Sequence, residues 1–182
     1  MAMTMISRSV TVISILLIAS GLVHAVSVPT ENLPAGFRLL GVIDANTTGV
    51  NISEEINDFY GARDIGSVSD VSIGKYIWGE MGVDYDAKIT ILSLKDDAYA
   101  RAAYENYRSR EEFKYPPIKG IDRFANATIN GHDALEIRDM VRDLRGPSIR
   151  FLYLWTNSSS VVLVEGNGSR ESSMALAAAT GM

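Results

Sequence analysis

The segment Phe124–Gly166, FANATINGHDALEIRDMVRDLRGPSIRFLYLWTNSSSVVLVEG, constrains the fold more than any other part of the chain. It reads as four consecutive antiparallel strands. Asn130-Gly131 marks the first turn, because a type I′ hairpin needs positive φ at both central residues and these two residue types tolerate it best. Ala134–Met140 follows with Leu135 and Ile137 on one face and Glu136 and Arg138 on the other. That period of two predicts a half-buried strand. Arg142–Pro147 reads as a charged loop. Ile149–Thr156 is apolar on both faces, with Leu152 and Leu154 opposed to Phe151, Tyr153 and Trp155. Asn157–Ser160 is a polar turn, and Val161–Glu165 returns as the last strand.

The first 25 residues read as a targeting segment. Arg8 supplies a positive start, Val10–Val23 an apolar run, and Val23-His24-Ala25 a site of the kind a signal peptidase cuts. Fourteen residues of helix reach about 21 Å, short of a bilayer core of about 30 Å. A cleaved signal peptide is therefore expected, with an uncleaved anchor as the alternative. Without residues 1–25 the 182-residue chain keeps 157, which suits one domain after a lead-in at 26–35. Loss of Arg8 moves the formal charge from −5 to −6. An acidic chain argues against nucleic acid, which selects a basic face. The absence of cysteine excludes thiol catalysis, Cys-zinc sites and iron–sulfur clusters, and leaves stability to packing.

Ahead of the four-strand block, Phe37–Asp44 and Val71–Trp78 read as strands, and so does Tyr85–Leu94. Ser53 is the expected cap of a short helix that Gly61 ends. Asp96 or Asp97 caps the main helix, which runs to about Arg110 with a stripe of Ala100, Ala103, Tyr104 and Tyr107. Pro116-Pro117 prevents its continuation. Ser169 opens a small last helix that Gly181 stops. Strands in runs with segregated helices imply an α+β fold: a mainly antiparallel sheet of six or seven strands packed against one long and one short C-terminal helix. In this element order, and in the Asn130-Gly131 hairpin before the last strands, the chain resembles the Mog1/PsbP-like α/β sandwich proteins and uncharacterised secreted proteins of archaea. The resemblance implies an exported, non-enzymatic protein and carries over no functional residues.

The chemistry-bearing residues are few. His132 is the only imidazole beyond the leader, and it follows the hairpin turn. No GxSxG elbow accompanies it. Asp84 and Asp86, alternate carboxylates at the head of a strand, are the candidate metal ligands, since such pairs supply oxygens to Ca²⁺. No cofactor is expected. Five N-x-S/T sequons, at Asn46, Asn51, Asn126, Asn157 and Asn167, predict glycosylation. Tyr76 with Trp78, and Phe151 with Tyr153 and Trp155, are spaced by two and so share a face within each strand. If the strands align, they form an aromatic platform for a sugar, peptide or protein.

The leading expectation is an exported, non-catalytic cell-envelope domain that binds a ligand or partner, an envelope protein or a carbohydrate. The alternatives are an extracytoplasmic hydrolase using a carboxylate pair and a purely structural envelope component. Membrane contact is expected only through the leader, if it is uncleaved.

Overall fold

The computed structural model describes residues 27–79, 86–143 and 146–182. The leader, its Val23-His24-Ala25 site and residues 80–85, Asp84 among them, lie outside the described residues. The strands are β1 Phe37–Asp44, β2 Asp70–Trp78, β3 Asp86–Ser93, β4 Phe124–Ile129, β5 His132–Asp143, β6 Gly146–Asn157 and β7 Ser160–Glu165. The helices are α1 Ile52–Glu55, α2 Asp97–Arg108 and α3 Arg170–Ala178. All seven strands form one open antiparallel sheet in the order β1-β2-β3-β7-β6-β5-β4. The class is α+β, with a short C-terminal helix. Among the described residues, no helix is long and apolar enough to cross a membrane.

Local chemistry explains most element boundaries. Asn130 and Gly131 both have positive φ, 50° and 86°, so β4 and β5 are joined by the turn their residue types favour. Asp96 caps α2, its carboxylate accepting from the Ala98 and Tyr99 amides, which satisfies two N–H groups that a helix start leaves without partners. Ser169 does the same for α3 through the Ser172 amide. The first helix differs from expectation. Its cap position is Asn51, not Ser53, and it ends at Glu55, long before Gly61. The Arg142–Pro147 loop is also shorter than expected, because β5 and β6 each continue to 12 residues and pair as far as Asp143 with Gly146.

Strand alternation divides the core into two halves. On one face Ile73, Leu92, Leu152, Leu154 and Leu163 share a cluster with Ala100, Ala103 and Tyr107 of α2. Asn106, on the same helix, is also buried. Its Nδ2 donates to the carbonyls of Phe59 (3.0 Å) and Arg63 (2.9 Å), and its Oδ1 accepts from the Arg63 amide (3.0 Å). These three bonds tie the connection between α1 and β2 to α2. On the other face Tyr76, Ile89, Tyr153, Trp155 and Val164 share a cluster with Leu176 and Ala177 of α3. Gly166 lets α3 approach the sheet: a Cβ there would lie 2.2 Å from Ser173 Cβ.

Helix α3 does not cover its face alone. The lead-in from Ser27 to Gly36 is laid across the sheet beside it. Val28 is 2% exposed, and its amide donates to Ser72 Oγ at 3.3 Å. The Tyr76 hydroxyl donates to the Pro29 carbonyl at 2.8 Å. The Gly79 amide donates to the Gly36 carbonyl at 2.8 Å. A segment that reads as a tether is thus a second cover for the sheet.

Candidate functional site

The structure brings the five aromatic candidates together on one face, and that face is closed. Tyr76, Tyr153 and Trp155 are 0% exposed, and only Trp78 and Phe151 keep partial exposure. The Trp78 ring fits between the lead-in and the start of α3. A Cβ on Gly36 would stand 2.9 Å from its Nε1, and one on Gly168 2.6 Å from its Cζ3. The open platform expected from the strand pattern is therefore interior. The lead-in covers the area that α3 is too short to reach.

Of the sequon asparagines, Asn46, Asn51 and Asn126 are exposed and Asn157 is half-buried. Asn167 is 1% exposed, and its Nδ2 is enclosed without a hydrogen-bond partner. An oligosaccharide has no room at Asn167 in the folded chain. Asp86 is exposed at the head of β3. Among the described residues, no group of three or more His, Asp or Glu is placed to hold a metal ion. His132 is half-buried and opens β5 opposite Ile129, rather than lying in the turn.

The polar site that the strand pattern concealed is Glu136. It lies on the α3 side of β5, directly across from Tyr153 of β6, and is 0% exposed. An ionised carboxylate out of water needs partners, and here it has three. Arg138 donates to Oε1 through Nε at 2.9 Å and approaches it again through Nη2 at 2.9 Å. Arg170, the first residue of α3, donates through Nε to Oε2 at 2.6 Å. The Tyr153 hydroxyl donates to the same oxygen at 3.3 Å. The Glu136 carboxylate holds the Arg170 guanidinium more firmly protonated than usual, first by that hydrogen bond and then by its charge. Burial, reinforced by the Glu136 charge, pushes the Tyr153 phenol well above its ordinary range.

Arg170 also lines a cleft of about 530 Å³ between the β4–β5 hairpin and α3. The other walls are Asn126, Ala127, Thr128, Asp133, Ala134 and Met174. Sequence reading missed this arrangement because Glu136 and Arg138 occupy positions that a one-sided sheet gives to solvent. The available signal was β6, whose apolar residues on both faces require a cover over the neighbouring Glu136 as well. A second depression of about 330 Å³ lies on the α2 side, lined in part by Lys75, Lys88, Arg150 and Glu165. Lys75 and Lys88 stand directly opposite each other on β2 and β3. Glu55 and Glu165 relieve that repulsion, at 2.7 Å from Lys75 and 2.8 Å from Lys88.

The fold and site define a single-sheet α+β protein with a polar cleft beside the edge strand β4. No protein-family model matches the chain, and neither does any curated protein or solved structure.

Burial also raises Tyr76 and Tyr107 far above the ordinary tyrosine range. An unfolded tyrosine ionises near pH 10. Above that pH the unfolded chain holds fewer protons than the folded one, so stability falls as pH rises. Phenolate absorbance is expected to climb in two phases. The later phase belongs to Tyr76, Tyr107 and Tyr153, which ionise only as circular dichroism is lost. A single phase centred on the ordinary tyrosine value would contradict this assignment.

Proposed function

We propose that this chain is an exported, non-catalytic cell-envelope domain that binds a small ligand in the cleft beside β4. One observation carries the reading: a wholly buried carboxylate, Glu136, fixes Arg170 while that side chain stays 44% exposed and the residue lines a cleft of about 530 Å³. Binding sites present few polar groups and hold them firmly, and Arg170 fits that description. The leader sequence supports export. The exposure of Asn46, Asn51 and Asn126 is compatible with glycosylation there. In the same reading α2 acts as the packed cover of the opposite sheet face, and the overall design stays close to the Mog1/PsbP-like proteins.

The test is a thermal-shift panel of neutral, anionic and zwitterionic small molecules on the wild-type protein and on Arg170→Gln. A ligand at a hundredfold excess over its Kd stabilises by about 2.7 kcal/mol, which moves Tm by several degrees in a domain of this size. At least one compound is expected to raise the wild-type Tm and to leave Arg170→Gln unmoved. No shift with any compound, or equal shifts in both proteins, would remove the cleft as the site.

A further inference from the structure

We infer that the ligand of the cleft is a short extended peptide that pairs with the free edge of β4 and sets an acidic side chain against Arg170. This rests on the reading of the cleft as the binding site and assigns the class of its ligand. β4 is the last strand of the sheet, and the register tells which of its backbone groups face outward. The Arg138 amide donates to the Arg123 carbonyl at 2.8 Å, one step beyond the Phe124–Ile137 pair. Hydrogen-bonded pairs alternate along an antiparallel ladder, so Ala125, Ala127 and Ile129 direct their N–H and C=O groups at β5. Phe124, Asn126 and Thr128 direct theirs outward, where β4 has no neighbouring strand. Asn126 and Thr128 are exposed and line the cleft. Such an edge is a template for a further strand. The opposite edge is less suited, because a bulge between Leu39 and Gly41 interrupts β1, a device that keeps other strands off.

Helix α3 supplies the second wall. Arg170 is bonded to Glu136, which stands opposite Ala125, and the Ala178 carbonyl accepts from Asn130 Nδ2 at 2.9 Å. The helix therefore runs alongside β4, from the level of Ala125 to the β4–β5 turn. Met174, one turn after Arg170, lines the cleft with Ala127. Ala127 packs on the α3 side and Phe124 on the α2 side, so Ala125 shares the face of Ala127. Two alanines leave room above that strip. A strand added antiparallel, like every other pair in this sheet, places alternate side chains there. The one opposite Ala127 meets Met174 and suits an apolar residue. The one opposite Ala125, two residues later in the added strand, meets Arg170 and suits Asp or Glu. Arg170 gives Nε to Glu136 at 2.6 Å, and neither Nη has a hydrogen-bond partner among the described residues. Glu136 has a second counter-ion in Arg138, whose Nη2 lies 2.9 Å from Oε1. The three-residue cluster thus keeps one positive charge for a ligand carboxylate, met through charge-assisted hydrogen bonds. A C-terminal carboxylate would lie in the plane of the strands, whereas a side chain rises toward α3. Asn126 points to the α2 face, as its partner Leu135 does, so an oligosaccharide there leaves on the side away from Arg170.

The experiment titrates isotope-labelled protein with blocked pentapeptides, acetyl-Thr-Φ-Thr-Glu-Thr-amide with Φ as Val, Leu, Met or Phe, and follows the protein's amide resonances. At least one is expected to bind with a Kd below about 1 mM, shifting the Asn126 and Thr128 amides, and to weaken about tenfold or more when its Glu is replaced by Gln. N-methylation of the central Thr, which pairs with Asn126, should abolish binding. N-methylation of the Glu, whose amide faces away from β4, should leave it unchanged. Arg170→Gln should lower the Glu peptide to the affinity of its Gln analogue. Asn126→Pro removes an outward N–H at an edge position, where proline is tolerated, and should abolish binding with the fold intact. A Gln peptide that binds as well as its parent overturns the inference, and so does a central N-methyl peptide with unaltered affinity; neither result depends on a variant. Dimerisation of the protein that Asn126→Pro removes also overturns it, since the edge then belongs to a second copy. If no peptide binds but a small molecule does, and Arg170→Gln abolishes that, the cleft reading stands and the peptide strand alone is wrong. If nothing binds, both fall.

Discussion

Replacing Trp155 by alanine is expected to cost about 3–5 kcal/mol, at least as much as Leu154→Ala at about 2–5 kcal/mol. The two residues are neighbours on β6 and point to opposite faces, and both are 0% exposed. Leu154 meets the α2 side, and Trp155 meets α3 with Leu176 and Ala177. The indole Nε1 has no hydrogen-bond partner, so its loss breaks no bond and the cost is volume. A cavity that large cannot close, because Trp155 is paired with Val162 in the middle of the sheet, where backbone hydrogen bonds on both sides fix the strands. The strand pattern alone gives the opposite order, with Trp155 on a partly open face and cheap to remove. Urea denaturation of both variants decides the matter, provided the midpoint moves and the slope does not. A Trp155→Ala cost below about 1 kcal/mol would mean that α3 leaves its face in solution.

The source of that reversed expectation separates what the sequence could say from what it could not. Local signals were legible. Phe37–Asp44 is β1 to the residue, Asn130-Gly131 is the β4–β5 turn, Asp96 is the α2 cap and Ser169 the α3 cap. Face assignments from alternation also hold: Leu152 and Leu154 lie with Ala100 and Ala103, opposite Tyr153 and Trp155. Each of these depends on residues within one or two turns of chain. Apart from the bounds of α1 and of the β5–β6 loop, the failures involve distant partners. Val28 and Pro29 look like a solvated lead-in until they are placed against Ser72 and Tyr76. Asn106 sits on a helix where a polar residue implies solvent, and its partners are at Phe59 and Arg63. The insertion of β7 between β3 and β6 has no local signature, yet it makes β7 the apolar centre of the sheet. Glu136 belongs with these cases. Alternation gave its face correctly, but only the cover from α3 turns that face into an interior.

The Glu136 network carries the second large expected effect, and the effect is asymmetric. Removing both cations in Arg138→Met/Arg170→Met strands a carboxylate that is 0% exposed, and breaking a buried pair in this way costs about 3–5 kcal/mol. The Arg side chains are 26% and 44% exposed, so water screens part of the attraction and the lower end of that range applies. Removing the charge from the other side is milder. Glu136→Gln keeps the shape and one oxygen acceptor, and the two half-exposed guanidinia can take up water, so about 1 kcal/mol is expected, the worth of an ordinary hydrogen bond. The triple variant with all three substitutions should then recover most of the stability lost in the double Arg variant, because its buried charge is gone. Denaturant midpoints for the three proteins measure this as a coupling energy. Failure of Glu136→Gln to rescue the double variant would show that the arginines act through their aliphatic packing. Glu136 would then not be what holds Arg170 at the cleft, and the positioning on which the proposed binding site depends would have to come from the start of α3 alone.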